Sequence, residues 1–314
     1  AAATFVGLLA AGALVALLDA PRLFALARGG KISIARASSY AAYGAPLAAA
    51  LLTGQTVQAL TRILLHDHSG AIETGAFAAA YGLARPLDLL FAGLSAAFAP
   101  MLIKAYETEG VERAQEVGAR GFALLAALTI PACVGLALVA GPLSAVMVGE
   151  ALRDHVAATL PWMAGAALFV GFAFYYWAEC FQLSKKTSEH AMIMLAPAGA
   201  QLALTAWLAP QYGALGAAYA ACAAGIIAFC LLGIIGRRRV ALPVPWRELW
   251  RILAATGIMT LAVLSVPTEP SIAILLANVI VGVVTYAVFI LVFDVLQARK
   301  AAAQMIGKLS ARRR

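Results

Sequence analysis

The 314-residue chain is 63% hydrophobic and 12% charged, with a mean hydropathy of +0.89 and a formal net charge of +8. A soluble domain carries about 25% charged residues, so that class is excluded, and apolar runs near the ~20 residues that cross a bilayer recur along the whole chain. The fold class is all-α, a polytopic transmembrane helix bundle; a β-barrel would instead alternate over segments of roughly 10 residues.

In chain order, nine spans are predicted, at about 2–18, 40–65, 76–103, 121–148, 159–183, 191–209, 213–236, 250–266 and 272–296. The chain opens on Ala1 at the head of the first of them, with neither an initiator Met nor a signal-peptide pattern, and reads as the C-terminal part of a longer protein. Several spans carry internal proline (Pro46, Pro86, Pro131, Pro197). Proline frees a carbonyl and kinks a helix, which a membrane tolerates where a neighbour or a wet cavity satisfies the freed group.

Twenty of the 23 basic residues fall in alternate loops and in the C-terminal tail. The intervening loops, "HDHSGAIETG", "GEALRDHVA", "PQYG" and "PTEPS", hold only Arg153. By the positive-inside rule the basic loops and the C-terminus are cytoplasmic; the positive charge marks that side rather than nucleic-acid binding, and binding of the basic tail to anionic lipid head groups is the lesser alternative. The other loops are short, so an enzyme acting at that face lacks the folded loop it needs. "HDHSGAIETG" does hold His66, Asp67, His68 and Glu73, but at no closed metal-site spacing, and reads as a solvated turn. The cysteines (Cys133, Cys180, Cys222, Cys230) lie in apolar segments and read as small buried hydrophobes. No metal site is expected.

The remaining two basic residues, Arg62 and Arg85, lie inside spans. In "YGLARPLDLL", Tyr81, Arg85, Asp88 and Ser95 recur at steps of four, three and seven and share one helix face. Gln55, Gln58 and Arg62 make a similar stripe on the preceding span. Arg85 lies ~15 Å into its helix, close to the bilayer midplane, where a charge costs at least ~2.5–3.5 kcal/mol. Its i,i+3 partner Asp88 offsets that cost. The pair then either only neutralises itself or also faces a central cavity; for Arg62 the alternative is snorkelling to the interface. The substrate-binding candidates are therefore Arg85, Arg62, Asp88, Tyr81, Gln55 and Gln58. Asp88 and Glu179 are the ion-coupling candidates, with interfacial packing the alternative for Glu179.

Four stretches carry a family resemblance: "GAFAAAYGLARPLDLLFAGLSAAFAPMLIKAYETEG", "GEALRDHVAATLPWMAGAALFVG", "LSKKTSEH" and "LAPQYGALGAAYA". In order and at their helix spacing they resemble the polysaccharide-export flippases of the multidrug/oligosaccharidyl-lipid/polysaccharide exporter superfamily, over about residues 40–236. The resemblance implies two inverted six-helix lobes around a cavity, working by alternating access. Residues 1–39 would then be the last helix of the N-lobe and a cytoplasmic linker, 40–240 the six-helix C-lobe, and 241–314 two additional helices with a basic tail; about five preceding helices would lie outside this chain. It implies a non-enzymatic transporter in a bacterial inner membrane. The transporter would flip a polyprenyl-pyrophosphate-linked oligosaccharide for cell-surface polysaccharide, such as lipopolysaccharide O-antigen or exopolysaccharide, alongside polysaccharide assembly proteins. It calls for no cofactor beyond a coupling H+ or Na+. Three positions depart from the family pattern: Thr61 stands where Asp often precedes the arginine, and Gln201 and Thr205 replace the usual asparagines. The alternatives are a multidrug or cation antiporter of the same superfamily, a membrane polysaccharide polymerase or glycosyltransferase, and a non-transporting assembly subunit.

Overall fold

The computed structural model describes residues 34–266 and 271–297. The predicted span 2–18, most of the linker 19–39 and the basic tail from 298 lie outside the described residues. Residues 1–44 form one compact unit, described only as helix from Ile34, and 45–314 form the second, which holds everything below.

Among the described residues there is no strand. The helices are α1 (Ile34–Thr108), α2 (Val111–Leu138), α3 (Ala140–Met147), α4 (Arg153–Phe172), α5 (Ala178–Leu183), α6 (Thr187–Arg239), α7 (Trp246–Leu264) and α8 (Ile272–Val292). A π-helical turn, Ala173–Trp177, joins α4 to α5. Five helical stretches are long and apolar enough to cross a membrane, making this a multi-pass membrane protein.

Two of those stretches reverse direction. In α1, Gly70 has φ 82° and ψ −174°. The guanidinium of Arg62 stands 5.6 Å from the centre of the Tyr81 ring, whereas a continuous rod would hold these residues about 28 Å apart along its axis. Arm α1a (to residue 69) therefore folds back on arm α1b (71–108). Gly213, at φ 57°, does the same between α6a (187–212) and α6b (214–239). There a Cβ on Gly216 would stand 2.5 Å from the Leu208 carbonyl oxygen. Both glycines sit at positive φ, where a side chain is strained, so each reversal joins two helices through a glycine in a conformation that other residues rarely adopt. With the reversals counted, each of the eight predicted spans from 40–65 onward finds a helical arm.

Two local departures follow from backbone chemistry. The predicted span 121–148 breaks at Val139 into α2 and α3. Pro86 does not break α1, whose only non-helical residue is Gly70.

The loops sort to two ends. At one, Glu73 meets His155 and Ala214, and Ser69 donates to the Ala209 carbonyl at 2.8 Å. At the other, Arg239 pairs with Glu189 at 2.9 Å, Gln115 Nε2 donates to Ala241, and the Tyr176 hydroxyl donates to the Pro243 carbonyl at 2.7 Å. We call these the acid-bearing and the basic ends. The bundle packs differently along its length. Near the acid-bearing end the core is mostly alanine, around Ala80, Ala209, Ala217 and Ala221, which lets helices approach closely. Towards the basic end it is aromatic, with Phe91, Phe122, Phe172 and Tyr176 in edge-on and tilted contacts. Gly171 and Gly121 make room for the rings of Phe91 and Phe98, which a Cβ at either position would meet.

Candidate functional site: a charged stripe beside an apolar groove

Arms α1a and α1b bring four of the six predicted binding residues together. Arg85 Nη1 donates to Asp88 Oδ2 at 3.3 Å and to the Tyr81 hydroxyl at 3.1 Å. The Tyr81 ring lies between two cations, Arg62 at 5.6 Å and Arg85 at 6.0 Å from its centre, near the limit of cation–π attraction. Arg85, Asp88 and Tyr81 share one helix face by the i,i+3 and i,i+4 rule. Arg62 joins them only because Gly70 reverses the chain. The Arg85 and Asp88 side chains keep 50% and 30% of their accessible surface. The pair is thus not sealed inside the bundle, and its surface remains available to a ligand.

The stripe is not polar throughout: Ser95 is buried. The other two predicted residues stand apart. Gln55 is exposed, and Gln58 carries a buried Oε1 with no hydrogen-bond partner. Gln58 lies beside a different cluster. Gln201 Nε2 reaches Thr61 Oγ1 at 3.4 Å across α1a and α6a, both residues are buried, and the buried Thr205 hydroxyl is also without a partner. Two of the positions that depart from the family pattern, Thr61 and Gln201, are thus in contact, and both are neutral.

Glu179 sits in the first turn of α5, directly after the π-helical turn, and is 4% exposed. Its Oε1 accepts from Gln182 Nε2 at 3.4 Å, and Oε2 has no partner. It is not an interfacial side chain. A buried side-chain oxygen with no hydrogen-bond partner is uncommon in folded proteins, and π-helical turns are frequent at functional sites.

Sequence reasoning missed a groove. An apolar cavity of about 830 Å³ opens between α1b, α2, α3, α7 and α8. Gly82 and Pro86 form its edge on α1b, next in sequence to Tyr81 and Arg85. Opposite them stand Met259, Asn278 and Tyr286 of the last two helices. The Tyr286 hydroxyl donates to the Ala127 carbonyl at 2.6 Å and locks α8 against α2. The signal for the groove was the proline and glycine content of these segments, which leaves hollows where larger side chains would fill space. What made the groove unreadable is that its walls come from parts of the chain up to two hundred residues apart.

The turn "HDHSGAIETG" divides. His66, Asp67 and His68 are exposed, as a solvated turn requires. Glu73 is not part of a solvated turn: its Oε1 meets His155 Nδ1 at 2.8 Å and its Oε2 accepts the Ala214 N–H at 2.7 Å. Among the described residues, no group of three His, Cys, Asp or Glu side chains could hold a metal ion.

No family model matches the sequence, and no curated protein matches it. Among solved structures, the chain is similar to "Lipid II flippase MurJ, inward closed conformation", with a TM-score of 0.66 at 15% identity. The likeness covers 84% of this chain and 56% of that one, so the chain spans little more than half the length of the structure it matches. At this identity the likeness is one of fold: over the matched residues the helical bundle described above shares the fold of that structure.

Proposed function

We propose that the chain is part of a transporter that flips polyprenyl-pyrophosphate-linked oligosaccharide across a bacterial inner membrane, by alternating access, for cell-surface polysaccharide. The observation that carries this reading is one of adjacency. Tyr81 and Arg85 stand next in sequence to Gly82 and Pro86, which line an 830 Å³ apolar groove, and Arg62 of α1a meets Tyr81 across the Gly70 reversal. That pairing suits an amphipathic ligand with an anionic head and a long apolar tail. Guanidinium stays charged and binds phosphate oxygens in a two-pronged fashion. The groove offers apolar wall to an isoprenoid chain that would otherwise remain in lipid. A fold shared with a lipid II flippase is consistent with a lipid-linked substrate, and the polysaccharide branch comes from the sequence resemblance. The basic end faces the cytoplasm on this reading, as the positive-inside rule requires.

Asp88 is the group that regulates Arg85. Ionised, it holds the guanidinium; protonated, it releases Arg85 to a phosphate. Glu179 is the second proton-accepting candidate. The Thr61–Gln201 cluster has no titratable group, so a coupling proton belongs on Asp88 or Glu179. A cation antiporter is disfavoured by two arginines against one aspartate at the stripe.

Arg85→Ala in the full-length protein, reconstituted in proteoliposomes with a polyprenyl-pyrophosphate oligosaccharide, tests the reading. Loss of charge-assisted hydrogen bonds worth ~1.5–3 kcal/mol predicts a fall in translocation of about tenfold to a hundredfold, with membrane insertion unchanged. Wild-type translocation by the variant refutes it.

A further inference from the structure

We propose that the acid-bearing end holds a second ligand site, one that binds the hydroxyl and amide groups of a neutral saccharide; the substrate class rests on the transport reading above. The site is a cavity of about 570 Å³, within the ~300–1,000 Å³ range of small-molecule sites. Its walls come from three separate stretches: the Gly70 reversal, the first turns of α4 and the Gly213 reversal.

The chemistry of the lining selects the ligand. His68 Nδ1 donates to the Leu64 carbonyl at 2.7 Å, which leaves Nε2 as its uncommitted ring nitrogen. His155 Nδ1 meets Glu73 Oε1 at 2.8 Å, which likewise leaves Nε2 uncommitted. The Gln211 amide nitrogen gives one N–H to the Trp207 carbonyl at 3.2 Å, leaving its second N–H and Oε1. The hydroxyl hydrogens of Ser69 and Thr159 are committed to the carbonyls of Ala209 and His155. Asp154 lines the cavity as a carboxylate with no hydrogen bond or ion pair to another described residue. The free groups therefore include the Asp154 carboxylate and Gln211 Oε1 as acceptors beside the Tyr212 hydroxyl and one Gln211 N–H as donors, and no lysine or arginine lines the cavity.

Such a surface repels phosphate, which brings only acceptors and negative charge. It also fails as a divalent-metal site, since no three ligating side chains converge among the described residues. It suits a neutral ligand that brings both donors and acceptors. A pyranose ring does so through its hydroxyls, and the half-exposed Tyr212 ring offers a flat apolar face to its C–H surface. The pyrophosphate and the sugars of one lipid-linked glycan would thus meet complementary surfaces: cationic at the α1 stripe, polar without lysine or arginine at the acid-bearing end.

The test uses the full-length protein in lipid nanodiscs and saturation-transfer difference NMR with the methyl glycosides of glucose, galactose, rhamnose and N-acetylglucosamine. At least one glycoside should show transfer, and Asp154→Ala and Tyr212→Ala should each weaken its binding about tenfold. Asp154 holds no described partner, so its variant keeps the fold, which circular dichroism checks. Absence of transfer for every glycoside, or equal transfer in both variants, overturns the site, as does binding of tetramethylammonium in place of any sugar. Proteoliposome flipping separates the two ideas: translocation without glycoside binding removes this site alone, and glycoside binding without translocation removes the transport reading alone.

Discussion

Glu73 is the joint on which three distant stretches of chain meet, and its removal has a calculable cost. Its Oε2 accepts the Ala214 N–H at 2.7 Å immediately after the Gly213 reversal, and its Oε1 meets His155 at the start of α4. A Cβ on Gly213 would run into this carboxyl group, so the turn and the side chain fit each other. The two bonds differ in worth. The His155 side chain is 45% exposed, so its pairing contributes at most ~0.2–1 kcal/mol. Ala214 is 1% exposed, so its amide has no water to turn to, and a hydrogen bond to a charged acceptor is worth ~1.5–3 kcal/mol. Glu73→Ala should therefore cost about 2–4 kcal/mol. Glu73→Gln retains an acceptor for Ala214 and should cost about 1 kcal/mol or less, as should His155→Ala. Reversible unfolding in SDS, followed by tryptophan fluorescence, measures all three. A Glu73→Ala variant within about 0.5 kcal/mol of wild type would refute the argument, as would a Glu73→Gln variant as damaging as the alanine; the second result would mean that charge, not the buried amide, matters.

Gly135 lines the groove, and a Cβ there meets nothing within 4 Å. Gly135→Phe should therefore place a ring in the groove with little loss of stability, and should slow flipping of long-chain lipid-linked glycans more than short-chain analogues in proteoliposomes; equal effects on both would show that the groove holds no tail. Gly171→Ala pushes a methyl into the Phe91 ring, which is fully buried and packed against Phe172 and Tyr175 at 5.4 and 6.0 Å. Overpacking of this kind costs about 1–3 kcal/mol. The same SDS titration should show this loss and a partial recovery when Phe91→Leu is added, since contacting sites couple.

The sequence by itself determined whatever a bilayer forces on a chain locally. A membrane leaves only helix for an apolar run, so eight predicted spans reappear as helical arms, and the alternation of basic loops reappears as two distinct ends. The Arg85–Asp88 pair was legible for the same reason, because residues three positions apart on a helix are neighbours on one face. Tertiary structure alone decided the contacts that cross between arms. Arg62 reaches Tyr81 because Gly70 turns at positive φ, and a single turning glycine between two apolar helices leaves no pattern in hydropathy. Glu73 finds its partners 82 and 141 positions away, and a solvated turn and a packed one read alike until those partners are known. The groove is further still from the sequence, because a hollow is defined by what several helices fail to fill. α1b, α2, α7 and α8 each look like an ordinary apolar helix, and only their packing sets an empty apolar wall beside a charged stripe.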